Sequence, residues 1–136
     1  MIRPLAGDII PPLDVAIARE DLIRYAGAAD DYVRLHWDHP YMIANGFPDV
    51  AVHGWLTFAH MCRAVTQWLP PEEWAITAFS VRYVRPTYPG SLRCGGEVVL
   101  DERENMTIAL WAKDSEDQVT TTATMSVRAL RPGQPG

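Results

Sequence analysis

Six residues able to move protons, Asp30, Asp31, His36, Asp38, His39 and His53, fall in one stretch of the chain, and Gly54 follows at once. An imidazole exchanges protons near neutral pH and a carboxylate accepts hydrogen bonds, so the two together can hold and activate a water. Addition or removal of water is the chemistry such a pair offers. Asp31 and His36 are five residues apart, which on an α-helix would set them about 140° apart. They converge only if the chain between them is irregular. Gly54 opens a long apolar run, and a helix N-terminus there would present unpaired N–H groups and a partial positive charge. A glycine lets a ligand come close to that backbone. Aimed at a thioester carbonyl, such an N–H would stabilise the enolate formed when water adds to C3 of an enoyl thioester.

His36, Asp38 and His39 also raise a metal site, with His53 or His60 folding back as a fourth ligand. Three ligands within four residues of loop rarely reach one ion, so no metal is expected. Asp38 reads as a turn residue or a support for its neighbours, and His39 as facing solvent. His53, just before a helix, would touch substrate or fix the shape of the loop.

These residues need elements to position them. Residues 1–12, with Pro4, Pro11 and Pro12, read as an irregular arm leading into a short strand at 13–18. Residues 19–29 follow a helical period, with Leu22, Tyr25, Ala26 and Ala29 on one face and Glu20 and Asp21 in the first turn, where the dipole favours acids. From 30 to 53 periodicity disappears, and Pro40, Asn45-Gly46 and Pro48 punctuate a loop with one helical turn near Tyr41. A loop this long inside a compact domain is usually functional.

Residues 54–69 are largely apolar, with a narrow polar stripe at 60, 63 and 67, and Pro70-Pro71 follows. A helix apolar nearly all round is a buried one; Trp55 and Trp68 on it, and Trp111 in a later segment, lie in core-like patterns where burial is the expectation. Four period-2 strands come next, around 79–83, 92–100, 106–110 and 119–127. A sheet with one apolar face must cover that helix. The solution is an α+β hot-dog fold, a curved antiparallel sheet wrapped around one long buried helix, in a single domain spanning 1–136 with a frayed tail at 131–136.

Composition agrees with one compact domain: 136 residues, 48% hydrophobic and 21% charged. The net charge of −5 opposes binding to nucleic acid or an anionic membrane. Cys62 and Cys94 form no CxxC pair, so neither a disulfide framework nor structural zinc is expected, and a reducing cytosol fits. No signal peptide opens the sequence and no apolar run reaches the roughly 18 residues of a membrane span. A cytoplasmic protein is the expectation.

Tyr25-Ala26-x-x-x-Asp30-Asp31-x-x-x-Leu35-His36-x-Asp38, Gly46-Phe47-Pro48, Val52-His53-Gly54-x-Leu56 and Arg85-Pro86-x-x-Pro89-Gly90 together resemble the MaoC-like dehydratases, or (R)-specific enoyl-CoA hydratases. The resemblance runs over roughly residues 22–127. It implies the hot-dog fold, a dimer whose sheets join edge to edge, and reversible syn hydration of trans-2-enoyl thioesters to (R)-3-hydroxyacyl thioesters. By this resemblance Asp31 and His36 form the catalytic dyad and Gly54 N–H is the oxyanion donor. No cofactor is implied beyond the coenzyme A or acyl carrier protein that carries the substrate.

Two departures stand out. The family's Asn-Pro inside the Asp-x-Asn-Pro-x-His motif is Val33-Arg34 here, and Cys62 occupies a place where some members carry a serine near the substrate. Altered motifs of this kind occur in members that work beside a second hot-dog subunit, so homodimer and heterodimer both stay open. His53, Cys62 and Tyr41 are assigned to substrate binding, Tyr41 because the 40–70 region would shape the acyl pocket. Arg82 and Arg85 are assigned to the phosphates of the carrier arm. Two other readings share the fold: an acyl thioesterase, which directs water at C1, and a non-catalytic subunit of a heteromer.

Overall fold

The computed structural model describes residues 3–131. Elements run in the order β1 (Ile9–Ile17), α1 (Arg19–Ala29), a 3-10 turn (Arg34–His36), α2 (His39–Ala44), α3 (Gly54–Trp68), β2 (Trp74–Tyr83), β3 (Gly90–Glu102), β4 (Asn105–Lys113) and β5 (Val119–Ala129). The five strands make one antiparallel sheet in the order β1-β3-β4-β5-β2. Its concave face closes over α3. Phe58, Met61, Ala64 and Val65 of the helix share a core with Leu92, Cys94, Val98, Ile108, Leu110, Met125 and Val127 of the strands. Alternate strand residues supply that face, as a half-buried sheet requires. This is the hot-dog fold read from the sequence. Among the described residues no helix is long and apolar enough to cross a membrane.

The N-terminal arm is more ordered than its prolines predict. β1 begins at Ile9 and includes Pro11 and Pro12, where its register against β3 shifts between Ile10 and Leu13. Proline has no N–H to give a ladder and survives at an edge or a bulge; here it has both. The predicted frayed tail lies, from 132 on, outside the described residues.

α3 also departs from its prediction. One face is buried, but Trp55 is 56% exposed and Ala59 is exposed as well. Trp55 and Phe58 meet Phe79 of β2 in an aromatic cluster, with ring centroids 4.7 to 6.2 Å apart. β2 is the second edge of the sheet, and Phe79 and Tyr83 on it are 51% and 47% exposed. All-round apolarity therefore has two destinations in this helix: its own sheet and an uncovered surface beside an open strand. Trp111, also expected in the core, lies half-buried on the sheet against Gly95 and under the Lys113 ammonium, 4.7 Å from its ring centroid.

Candidate active site

α1 ends at Asp30, whose φ of 53° is left-handed. Aspartate tolerates that conformation better than most residues. The reversal lets Asp31 N–H donate to Ala26 C=O at 3.1 Å and turns the chain towards the head of α3. The 3-10 turn Arg34–His36 then brings His36 back to Asp31, so the five-residue spacing converges through irregular backbone. Val33-Arg34 serves this turn without the family's Asn-Pro: Val33 N–H donates to Asp31 Oδ1 at 3.3 Å, and Arg34 pairs with Asp38 at 2.8 Å. Asp38 caps α2, its Oδ1 accepting from Tyr41 N–H at 3.0 Å. The backbone bond and Arg34 hold its carboxyl below the usual range.

His36 is buried and held on two sides. Ala51 N–H donates to Leu35 C=O at 2.8 Å, and His36 Nδ1 lies 2.7 Å from Ala51 C=O. A carbonyl only accepts, so Nδ1 carries a proton, and in the neutral ring Nε2 is therefore bare. That bare nitrogen stands 3.7 Å from Asp31 Oδ2. Two acceptors at this separation suit a single water donating one proton to each.

His53 packs behind His36 with ring centroids 3.7 Å apart and planes 16° from parallel, and Tyr25 covers its far side at 4.7 Å. Its Nε2 donates to Asp31 C=O at 3.3 Å, so its Nδ1 lone pair is buried without a partner. Burial holds its pKa below the ordinary 6.5, with His36 adding to that; the bond to Asp31 C=O and the Asp31 carboxylate pull the other way. Ligand atoms of Asp31, His36 and His53 lie within 4.8 Å of one another. His53 Nε2 is taken by the Asp31 carbonyl and its Nδ1 is buried, so Asp31 and His36 are the two that face each other across an open gap.

A cleft of about 410 Å³ opens on this arrangement, lined by His36, Gly54, Thr57 and Trp55 on one side and Tyr83, Arg85 and Thr87 on the other. The Tyr83 ring rests on Gly54: a Cβ there would come 2.6 Å from Tyr83 Cζ, so only glycine admits this contact. Burial pushes the Tyr83 hydroxyl pKa up. Thr87 donates to Thr120 at 2.8 Å, whereas Thr57, 1% exposed, has a hydroxyl with no partner.

The structure thus sets Asp31 against His36, with Asp31 itself outside the cleft lining, places His36 and Gly54 in one cleft wall, and puts Arg85 at that wall too, where it also bonds Gln118. Other expected residues fall elsewhere. His53 stands behind the dyad, not in the wall, because its ring fills the space between α1 and His36. Tyr41 lies under the Arg34 guanidinium, 4.2 Å from its ring centroid, and does not line the cleft. Arg82 faces the opposite side of the sheet, beside Glu97 and Trp111, since neighbours on a strand alternate faces. Cys62 sits half-buried at the rim of the core, two turns from Gly54, its pKa raised by burial. Thr57 and Tyr83 were missed. Thr57 lies three residues after Gly54 and so on the same helix face, a spacing visible in the sequence; Tyr83 over Gly54 is a long-range contact with no local signal.

No curated protein matches the chain by sequence. Solved structures do match by fold. A chain of the ChsH1-ChsH2 complex from Mycobacterium tuberculosis superposes with a TM-score of 0.85 at 22% identity, covering 94% of this chain and 100% of that one. The R-hydratase PhaJ1 from Pseudomonas aeruginosa gives 0.84 at 20% identity, with 98% and 94% covered. A MaoC-like dehydratase is 31% identical with a TM-score of 0.83 over 92% of this chain, which spans 40% of that longer protein. At the sequence level, residues 6–126 match the MaoC like domain. The chain belongs to the MaoC-like hydratase and dehydratase family.

Proposed function

We propose that this protein is a hydro-lyase that adds water reversibly to trans-2-enoyl thioesters, giving (R)-3-hydroxyacyl thioesters. The observation that carries the reading is the fixed tautomer of His36, whose bare Nε2 faces Asp31 Oδ2 at 3.7 Å beside the head of α3. A water between them donates to both. As its oxygen bonds C3, the C2=C3 π electrons move to the thioester oxygen, which Gly54 N–H stabilises as an enolate. His36 Nε2 takes the proton released by the water, and the transient imidazolium is favoured by the Asp31 carboxylate. Return of that proton to C2 restores the carbonyl and the dyad, so one water is consumed with nothing left over. Arg85 at the cleft wall supplies a cation for the carrier's phosphates.

The test is the enoyl-thioester absorbance band of crotonyl-CoA and longer trans-2-enoyl-CoAs, followed with a free-thiol assay in parallel. Loss of the band without thiol is the expected outcome. Thiol release would mean attack at C1 and a thioesterase instead; silence in both assays, with and without a second hot-dog subunit, would overturn enzymatic activity altogether.

The open edge of β2, with Phe79 and Tyr83 exposed beside Trp55, supports pairing with a second hot-dog subunit. Unpaired strand edges are templates for another strand, and the opposite edge is blunted by Pro11-Pro12. The neighbours include the ChsH1-ChsH2 and HadBC complexes. Sedimentation should give a dimer that Phe79→Asp dissociates; a monomer at every concentration would leave the edge to a different chain.

A further inference from the structure

Among the described residues three buried side-chain polar atoms lack a hydrogen-bond partner: His53 Nδ1, Thr57 Oγ1 and Trp74 Nε1. Two of them stand one turn apart at the head of α3. Burying a hydroxyl without a partner forfeits its hydration with nothing in return, and such groups are rare enough in native proteins to need a reason. A helical threonine normally has one at hand, the carbonyl four residues back. For Thr57 that carbonyl belongs to His53, which already accepts from Leu56 N–H at 3.0 Å and Thr57 N–H at 3.1 Å. The hydroxyl is left over, and its residue lines the cleft with Gly54 and His36.

We propose that the Thr57 hydroxyl is a second oxyanion donor, acting with Gly54 N–H on the thioester oxygen. The inference rests on the hydration reading above and adds a group to that site. Three residues apart on a helix is the same face, and the Cα–Cβ bond of Thr57 tilts towards the N-terminus, carrying its oxygen towards the level of Gly54. No side chain on Gly54 stands in between. The hydroxyl lends its hydrogen to the developing enolate oxygen without giving it up, so the proton balance between water, His36 and C2 is unchanged. Its stabilisation grows as charge moves onto that oxygen, which makes it a transition-state contact more than a ground-state one.

The experiment compares wild type with Thr57→Val, which keeps the shape and removes the hydroxyl, and Thr57→Ser, which keeps the hydroxyl. Butyryl-CoA carrying a 13C-labelled carbonyl cannot be hydrated, so the infrared stretch of the bound thioester reports hydrogen bonding with no turnover. Expected is a downward shift on binding to wild type, reduced in Thr57→Val and regained in Thr57→Ser. With crotonyl-CoA, kcat should fall about 10²-fold in Thr57→Val while KM changes little, the size expected for one oxyanion donor. The melting temperature of Thr57→Val should stay level or rise, since an unpartnered buried hydroxyl has been removed; a structural role would lower it. An equal carbonyl shift in wild type and Thr57→Val overturns the assignment, as does absence of thioester binding. A Thr57-dependent shift in a protein that hydrates nothing would keep the donor and overturn the hydratase reading alone. Should Thr57→Val fail to fold, Thr57→Ala against Thr57→Ser on the same carbonyl stretch decides the matter.

Discussion

At the first turn of α3, Gly54 and Thr57 lie beside His36 and His53, and two buried polar atoms there have no partner. Two turns further on, Met61, Ala64 and Val65 are almost completely buried among apolar strand residues. The head of the helix leaves two buried polar atoms without partners, and the body buries apolar side chains among apolar neighbours. Groups waiting for a substrate cannot at the same time be satisfied by the protein, so a site costs stability where it stands. The body of the helix supplies the offset.

That contrast predicts a clean separation of effects. The largest belongs at the head: Asp31→Asn and His36→Ala should each lower hydration of crotonyl-CoA by about 10²- to 10⁴-fold, the range for loss of a positioned acid or base. Their urea midpoints should stay near that of wild type. Near-normal turnover in either variant would remove it from the dyad. The body should behave in the opposite way. Met61→Ala ought to destabilise by about 2–5 kcal/mol in urea unfolding, as large-to-small core substitutions do, while the remaining folded protein keeps its turnover per molecule. A loss of turnover without a loss of stability would break the comparison.

The smallest effect sharpens it with pH. His53 is buried and its pKa lies below the ordinary 6.5, through burial first and the neighbouring His36 next. The unfolded chain therefore binds a proton more readily than the folded one. Stability from this group is fully present above about pH 6.5 and is lost as pH falls through the lowered folded value. Below pH 6.5 the urea midpoint of wild type should decline more steeply than that of His53→Gln. His60, whose pKa burial and then Arg63 also lower, remains in both proteins and cancels from the difference. Parallel declines would show that His53 takes up its proton without cost.

Much of this was legible in the chain. α1 spans 19–29 as its period predicts, because Leu22 and Ala26 had to face a core while Glu20 and Asp21 stayed in the first turn. The strands after α3 carried their alternation openly, and Asp31 and His36 stood in an aperiodic stretch that ends where Gly54 opens the apolar helix. The misses have physical causes. Pro11 and Pro12 look like strand breakers, but a bulge on an edge strand needs no N–H from them. Trp55 looks like core because sequence hydropathy does not distinguish an apolar face that meets its own sheet from one that stays uncovered. His53 reads either as a substrate contact or as a support for the loop, and its ring, stacked behind His36 with Nε2 donating to Asp31 C=O, takes the second part.

The sequence by itself determined which elements form and which residue types meet at the head of α3. Periodicity, helix-end signals and turn residues act over a few positions, and the chemistry of Asp, His and a helix N-terminus travels with the residue names. Only the tertiary structure decided direction. The proton on His36 Nδ1 depends on the Ala51 carbonyl, fifteen residues away in the chain. The glycine at 54 depends on Tyr83, and the unpartnered hydroxyl of Thr57 on a His53 carbonyl already occupied by two backbone N–H groups. Hydrogen bonds and ring contacts are set by angles and distances of a few ångströms, and those exist only after distant segments have packed.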